Sequence, residues 1–99
     1  MLAGIISREG GDPWPAHGLS SRTWLDLPVA EFVINELIAT QDGVYLAPLV
    51  NPVEPVGGDP LPHVVTHAGR HYIEDGHHRV VSALIRGEET ILARWCQAG

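Results

Sequence analysis

The feature that most constrains the fold of this chain is a change of hydrophobic period within residues 63–96. Residues 63–67 and 70–74 alternate as β-strands do, and Ala68-Gly69 between them suits a two-residue turn. The pattern predicts an antiparallel hairpin. Its predicted register sets two pairs of residues opposite each other, Val64 with Ile73 and Val65 with Tyr72.

The residues after this hairpin change to a helical period. Residues 77–86 predict an amphipathic helix that Gly87 terminates, and residues 90–96 predict a final strand. The residues expected on the buried stripe of the helix are Val81, Leu84 and Ile85. A strand, a helix and a strand in so few residues predict a right-handed crossover between parallel strands. The predicted fold class is α/β (α+β), a mixed sheet with a C-terminal hairpin–helix–strand unit.

The rest of the chain gives weaker signals. Its 99 residues suit one domain, which we place at residues 23–99 after an irregular, Gly- and Pro-rich arm at 1–22. Residues 23–41 predict a helix or turn followed by a short strand, and a helix from Val29 to Ile38 competes with that interpretation. Residues 42–61 are rich in proline and predict a long loop.

Composition excludes several classes of function. The net charge is −6 and lysine is absent, so we expect no DNA binding by this chain alone. The single cysteine, Cys96, excludes an internal disulfide and a multi-cysteine zinc site. No apolar run approaches the roughly 20 residues of a membrane span, and the N-terminus does not resemble a signal peptide. We therefore expect a cytoplasmic protein with no membrane partner.

A candidate phosphate site lies at the predicted strand-to-helix turn. A helix N-terminus carries unpaired N–H groups and a partial positive charge, which favour an anion. Gly76 would leave room for an anion near the backbone, and Arg79 offers a planar fork of donors. The predicted phosphate-binding residues are Gly76, His77, His78 and Arg79. Alternatively, the turn is only a tight connection in which Arg79 pairs with Glu74 or Asp75.

The other histidines are dense enough to raise the question of a metal. In the predicted hairpin, His63 and His67 share one face of the strand pair and His71 lies on the other, so the three cannot converge. We therefore predict no metal site and interpret these residues as surface and turn histidines.

Asp75-Gly76-His77-His78-Arg79, between a hairpin and a helix, resembles the Gly-x-x-Arg signature of the ParB/sulfiredoxin-like superfamily. The sequence of this segment is most similar to those of small ParB-like proteins of actinobacteria and their phages, and to those of free-serine kinases of that fold. The resemblance implies a nucleotide, CTP or ATP with or without Mg²⁺, whose phosphates lie at the helix start. His77 stands where sulfiredoxin has its reactive cysteine, so sulfinic-acid reduction is not expected.

Three functions follow from this resemblance. The first is a nucleotide-binding module, with or without weak NTPase activity, in which residues 42–62 would cover the base. The second is a small-molecule phosphotransferase of the free-serine-kinase type, with Glu36 as the candidate catalytic base and Glu31 as a further candidate. The third is a non-enzymatic phage effector that binds a host protein. The sequence also leaves a homodimer open.

Overall fold

The computed structural model describes residues 2–6, 11–40 and 60–98, which form a mixed sheet with two helices. The strands are β1 (Gly4–Ile5), β2 (Val29–Val33), β3 (Leu37–Ala39), β4 (His63–His67), β5 (Arg70–Asp75) and β6 (Thr90–Gln97). The helices are α1 (Ser21–Trp24) and α2 (His77–Ile85), and a 3₁₀ turn, Ile34–Glu36, joins β2 to β3. The strand order is β1-β3-β5-β4-β6-β2. The α+β class and the mixed sheet are confirmed.

The C-terminal hairpin follows its predicted register. Val64 pairs with Ile73 and Val65 with Tyr72, while a register shift lies between His63 and Val64. The turn residues Ala68 and Gly69 have φ of 51° and 77°. Positive φ at both central positions is the geometry of a type I′ turn, whose twist matches that of the flanking strands.

Helix α2 forms where predicted, but its buried stripe differs from the prediction. The buried residues are His77, Val80, Val81 and Ala83. Ile85, which was expected in the stripe, is 64% exposed, because the buried face runs through positions 77, 80, 81 and 83, with Leu84 partly buried beside it. The helix ends as predicted at Gly87 (φ 82°), and the Glu88 N–H donates to the Ala83 carbonyl at 3.0 Å.

The predicted parallel crossover is wrong in its direction. Strand β4 is antiparallel to β5 and parallel to β6, so β5 and β6 run in opposite directions. His63, at the start of β4, pairs with Asp75 at the end of β5 and with Arg94 of β6. Strand β6 therefore begins at the end of the sheet where β5 finishes.

Residues 29–39 form a strand, a turn and a strand, so the competing prediction of one helix from Val29 to Ile38 is wrong. Ala30 and Phe32 point into the core while their neighbours on β2 are exposed, which is the alternation of a strand with one buried face. The 3₁₀ turn then leads the chain into β3, which runs in the same direction as β2 and is separated from it in the strand order by β5, β4 and β6. The predicted loop at 42–61, including its proposed cover over a base, lies almost entirely outside the described residues.

One face of the sheet packs against α2. We call this the helix-side cluster, and its buried residues are Phe32, Ile34, Leu37, Val64, Ile73, Val80, Ala83 and Ala93. All are apolar, and most are aliphatic residues of strands or of α2. Burial of this surface supplies the main stabilising term on this side of the sheet.

The opposite face is covered by the N-terminal segment. We call this the arm-side cluster, and its buried residues are Trp14, Trp24, Val65, Tyr72 and Ala98. The Ser20 hydroxyl accepts the Thr23 N–H at 3.2 Å and so caps α1, which carries Trp24. The ring centroids of Trp14 and Tyr72 are 5.7 Å apart. Trp14 thus packs in the chain's own core.

Candidate functional site

The turn between β5 and α2 is fixed by close packing of the backbone. Gly76 has φ of 82°, and a Cβ at this position would lie 2.8 Å from the Cα of Pro62. Both the positive φ and the contact exclude an ordinary side chain. The space beside the Gly76 Cα is therefore filled by Pro62, and chain packing is sufficient to explain the glycine.

His77 lies inside the molecule and is 4% exposed. Its Nε2 accepts the backbone N–H of Thr40 at 3.0 Å, and the Thr40 hydroxyl donates to the Ile73 carbonyl. The Nε2 lone pair is therefore engaged by the chain that follows β3. The geometry gives His77 a structural contact that links β3, β5 and the start of α2.

His78 and Arg79 are half-buried and line a cleft of about 530 Å³. His63, the first residue of β4, pairs with Arg94, the fifth residue of β6. Residues 90–93 of β6 therefore extend beyond the start of β4. The cleft lies beside this extension. Its lining residues are Glu31, Pro60, Leu61, Pro62, His78, Arg79, Ser82, Arg86, Glu88, Thr90, Ile91 and Leu92. Arg86 within it donates to Glu88 at 3.0 Å.

Glu36 is not brought together with the residues of the turn. It directly precedes Leu37, which pairs with His71, so it lies near the start of β5, whereas Gly76 follows the end of that strand. The length of β5, about 20 Å, separates the two. Glu36 lines a different cleft, with Asn35 and residues of β1 and β5. A common site for Glu36 and the phosphate-binding residues is therefore not formed.

Two histidines take part in contacts that the sequence did not indicate. His17 Nδ1 accepts the Leu19 N–H at 3.0 Å, so its Nε2 carries the hydrogen that is donated to the Glu74 carboxylate at 3.0 Å. His63, expected on the surface, is buried and stacks on Trp24, with the ring centroids 4.4 Å apart. These contacts attach the arm to the sheet. Only Trp14, an isolated tryptophan in the irregular segment, hinted at an attachment of this kind.

The outer strand β2 presents a surface that sequence analysis also missed. On the face opposite Phe32, Val29, Val33 and Leu92 are 43%, 40% and 53% exposed. Leu92 pairs with Glu31, so the three apolar residues surround that carboxylate. The alternation of β2 indicates this face, but the sequence left residues 29–38 open between a strand and a competing helix.

The described residues contain neither a metal-binding cluster nor a membrane-spanning helix. They contain no group of three or more His, Cys, Asp or Glu side chains that could hold a metal ion. The register places His67 opposite Arg70 and His71 opposite Thr66, which agrees with the expected separation of the histidines. No helix in the same ranges is long and apolar enough to cross a membrane.

Comparison with known proteins identifies the family. A family model described as antitoxin VapB-like matches residues 4–98, which include every strand and both helices of the structure. The chain therefore belongs to the VapB-like antitoxin family. No curated protein and no solved structure matches it.

This family membership overturns the resemblance drawn from the helix turn. The assignment to the ParB/sulfiredoxin-like superfamily is wrong, and so is the set of functions derived from it: the nucleotide-binding module, the phosphotransferase and the phage effector. The resemblance depended on a short signature that a tight turn also produces, and the packing of Gly76 on Pro62 gives such a reason. Anion binding at Gly76, His77, His78 and Arg79 stays a prediction.

Proposed function

We propose that this protein is the antitoxin of a toxin–antitoxin pair and that it acts by binding a toxin protein made in the same cell. The observation that carries the proposal is the match of the antitoxin family over residues 4–98. The match spans the whole described sheet, so the family likeness involves the complete fold. The partners expected from the sequence also included another protein.

The surface of the molecule supports a role in protein binding. The net charge of −6 favours a partner with a basic surface and speeds association with it. The face formed by β2 and β6 leaves Val29, Val33 and Leu92 exposed around Glu31. An exposed apolar group with a charge at its centre resembles a small recognition surface more than an ordinary solvated strand.

The test is direct neutralisation of a toxin. The candidate toxin is the protein encoded by the reading frame next to this one, expressed from an inducible promoter. We expect growth arrest on induction, rescue when this protein is co-expressed, and a stable complex in size-exclusion chromatography.

An unrelated acidic protein of matched size and charge is the control, because it separates specific neutralisation from nonspecific charge effects. A neighbour that arrests growth but is neither bound nor neutralised would contradict the proposal. So would equal rescue by the acidic control.

A further inference from the structure

Among the described residues, strand β2 pairs with another strand on only one side of its backbone. The Trp95 N–H donates to the Pro28 carbonyl at 3.1 Å and the Ile34 N–H to the Glu89 carbonyl at 2.9 Å, so positions 28 and 34 are hydrogen-bonded to β6 and to the residue just before it. In an antiparallel ladder such positions alternate, so residues 30, 32 and 34 direct their N–H and C=O groups toward β6, and Pro28 directs its C=O there. The same groups of Val29, Glu31 and Val33 point away from the sheet.

This edge is open in the part of the chain that the structure describes. Strand β2 is the last in the strand order, and its pairing is with β6. Three consecutive outward positions offer three N–H donors and three carbonyl acceptors. Such a row is a template for an added strand.

The side chains along this edge determine which residue types are favourable on an added strand. Val29 and Val33 are exposed apolar residues, and the carboxylate of Glu31 lies between them. The Thr90 hydroxyl donates to Glu31 Oε2 at 3.3 Å, which holds the carboxylate on the face of the strand pair. Directly opposed residues on neighbouring strands interact most strongly, and opposite charges at such a pair are favourable.

We propose that the free edge of β2 binds an extended, basic segment of the protein partner by antiparallel strand addition. In the complex an arginine or lysine lies opposite Glu31, and apolar residues lie opposite Val29 and Val33. This inference rests on the proposed function, because it names the surface that contacts the toxin and the kind of toxin segment that the surface accepts.

A second copy of this chain fits the edge poorly. A two-fold pairing that uses all three outward positions is centred on Glu31 and places that carboxylate opposite its own copy. Like charges directly opposed across strands are destabilising. Shifted registers that avoid this contact lose one of the three pairs. Each chain also carries a net charge of −6, so the charge balance favours a basic partner.

The first test uses a synthetic peptide and needs no toxin. The probe is Thr-Val-Thr-Arg-Thr-Val-Thr, whose arginine and valines match the spacing of Glu31, Val29 and Val33. One control peptide carries glutamate in place of the arginine. A second control peptide carries N-methyl groups on the backbone amides of the two valines and the arginine. Binding is followed by the backbone amide NMR signals of the isotope-labelled protein.

We expect the arginine peptide to shift the amide signals of Val29, Glu31 and Val33 most. The glutamate peptide should bind about fivefold more weakly, the upper range of one cross-strand charge pair. The N-methylated peptide should not bind, because its blocked amides are those that would face β2. Equal binding of all three peptides, shifts confined to other elements, or no shift at about 1 mM peptide would overturn the proposal.

Substitution of Val33 tests the backbone of the edge. The Val33 N–H points outward and its φ is −75°, close to the fixed φ of proline near −65°. Val33→Pro therefore removes one outward donor while the ladder to β6 is retained. Val33→Ala is the matched control, since it removes most of the side chain but keeps the donor. Circular dichroism and thermal unfolding verify that both variants fold.

The same two variants separate this inference from the proposed function. Val33→Pro should weaken binding of the arginine peptide and of the neighbouring-frame toxin about tenfold, beyond any effect of Val33→Ala, because a buried partner loses a hydrogen bond. If folded Val33→Pro and wild type bind the toxin equally, the edge proposal is wrong and the antitoxin assignment stands. If the arginine peptide binds at β2 but the toxin does not bind, the antitoxin assignment is wrong, and the edge still accepts an extended basic segment.

Discussion

The two faces of the sheet are covered in different ways. On the helix side, α2 buries His77, Val80, Val81 and Ala83, and the cluster is built mainly from periodic aliphatic positions. On the arm side, a mostly irregular segment with one four-residue helix supplies Trp14 and Trp24. The helix side divides its packing among many residues, whereas the arm side concentrates it in two tryptophans. Single substitutions should therefore affect the arm side more.

Trp24→Ala tests the largest effect that this comparison predicts. The side chain is 3% exposed, stacks on His63 and lies edge-on to His17, with ring centroids 5.8 Å apart in the latter pair. We expect its truncation to lower the free energy of unfolding by about 3–5 kcal/mol, the usual cost of removing a buried aromatic side chain. Urea unfolding measures the change.

The neighbouring residue provides the control for Trp24. Leu25 is 47% exposed, so Leu25→Ala should change the unfolding free energy by less than about 0.5 kcal/mol. A loss below about 1 kcal/mol for Trp24→Ala would mean that the arm adds little to the core. The contrast between the two faces would then be wrong.

The same comparison shows which parts of the fold the sequence could predict. The hairpin register, the start of α2 and its glycine terminus were predicted, because each depends on neighbours close in sequence. The direction of β6 and the positions of Trp14 and Trp24 were not, because they depend on contacts between distant residues. Strand β2 was ambiguous, since Val29, Val33 and Leu37 also fit a helical stripe, and packing against β6 decides in favour of a strand.

The candidate site was predicted less well than the fold. Four residues around the turn were singled out from a short signature, but the buried contact between His77 and Thr40 was not visible in that pattern. The free edge of β2 was missed because an edge is a property of strand order, which the local sequence does not encode. Only one hint of this surface was available, the alternation of exposed and buried positions from Val29 to Val33.

Gly76→Ala sharpens the comparison on the helix side, where a close backbone contact should matter more than any one aliphatic residue. Positive φ costs a non-glycine residue about 1–2 kcal/mol, and the new Cβ would also collide with the Cα of Pro62. We expect a total loss of about 2–4 kcal/mol of unfolding free energy.

Gly87→Ala is the matched control for this effect. Gly87 has the same φ of 82°, but no atom lies within 4 Å of a Cβ built there. Its substitution should cost only the conformational term, about 1–2 kcal/mol. Equal losses for the two alanine variants, measured in the same urea titration, would show that the contact with Pro62 adds nothing.

Cys96 gives the smallest effect, a loss of stability that begins only above about pH 9. It packs at the margin of the arm-side cluster, where burial raises the pKa of its thiol from 9.0 to about 11 and the negative charge of Glu74 acts in the same direction. The folded protein thus holds the thiol proton more tightly than the unfolded chain. The resulting stabilisation is complete below pH 9 and is lost as the pH rises toward about 11.

Urea unfolding of the wild type and of Cys96→Ala between pH 7 and the alkaline range tests this linkage. The difference in unfolding free energy between the two proteins should be constant up to about pH 9. Above that pH the unfolding free energy of the wild type should fall relative to that of Cys96→Ala, since only the wild type carries the thiol. Alkylation by iodoacetamide, which requires the thiolate, should likewise be slower in the folded protein than in urea at pH 9. Parallel stability curves for the two proteins, with equal alkylation rates in the folded and unfolded states, would show that the arm does not shield Cys96 from water.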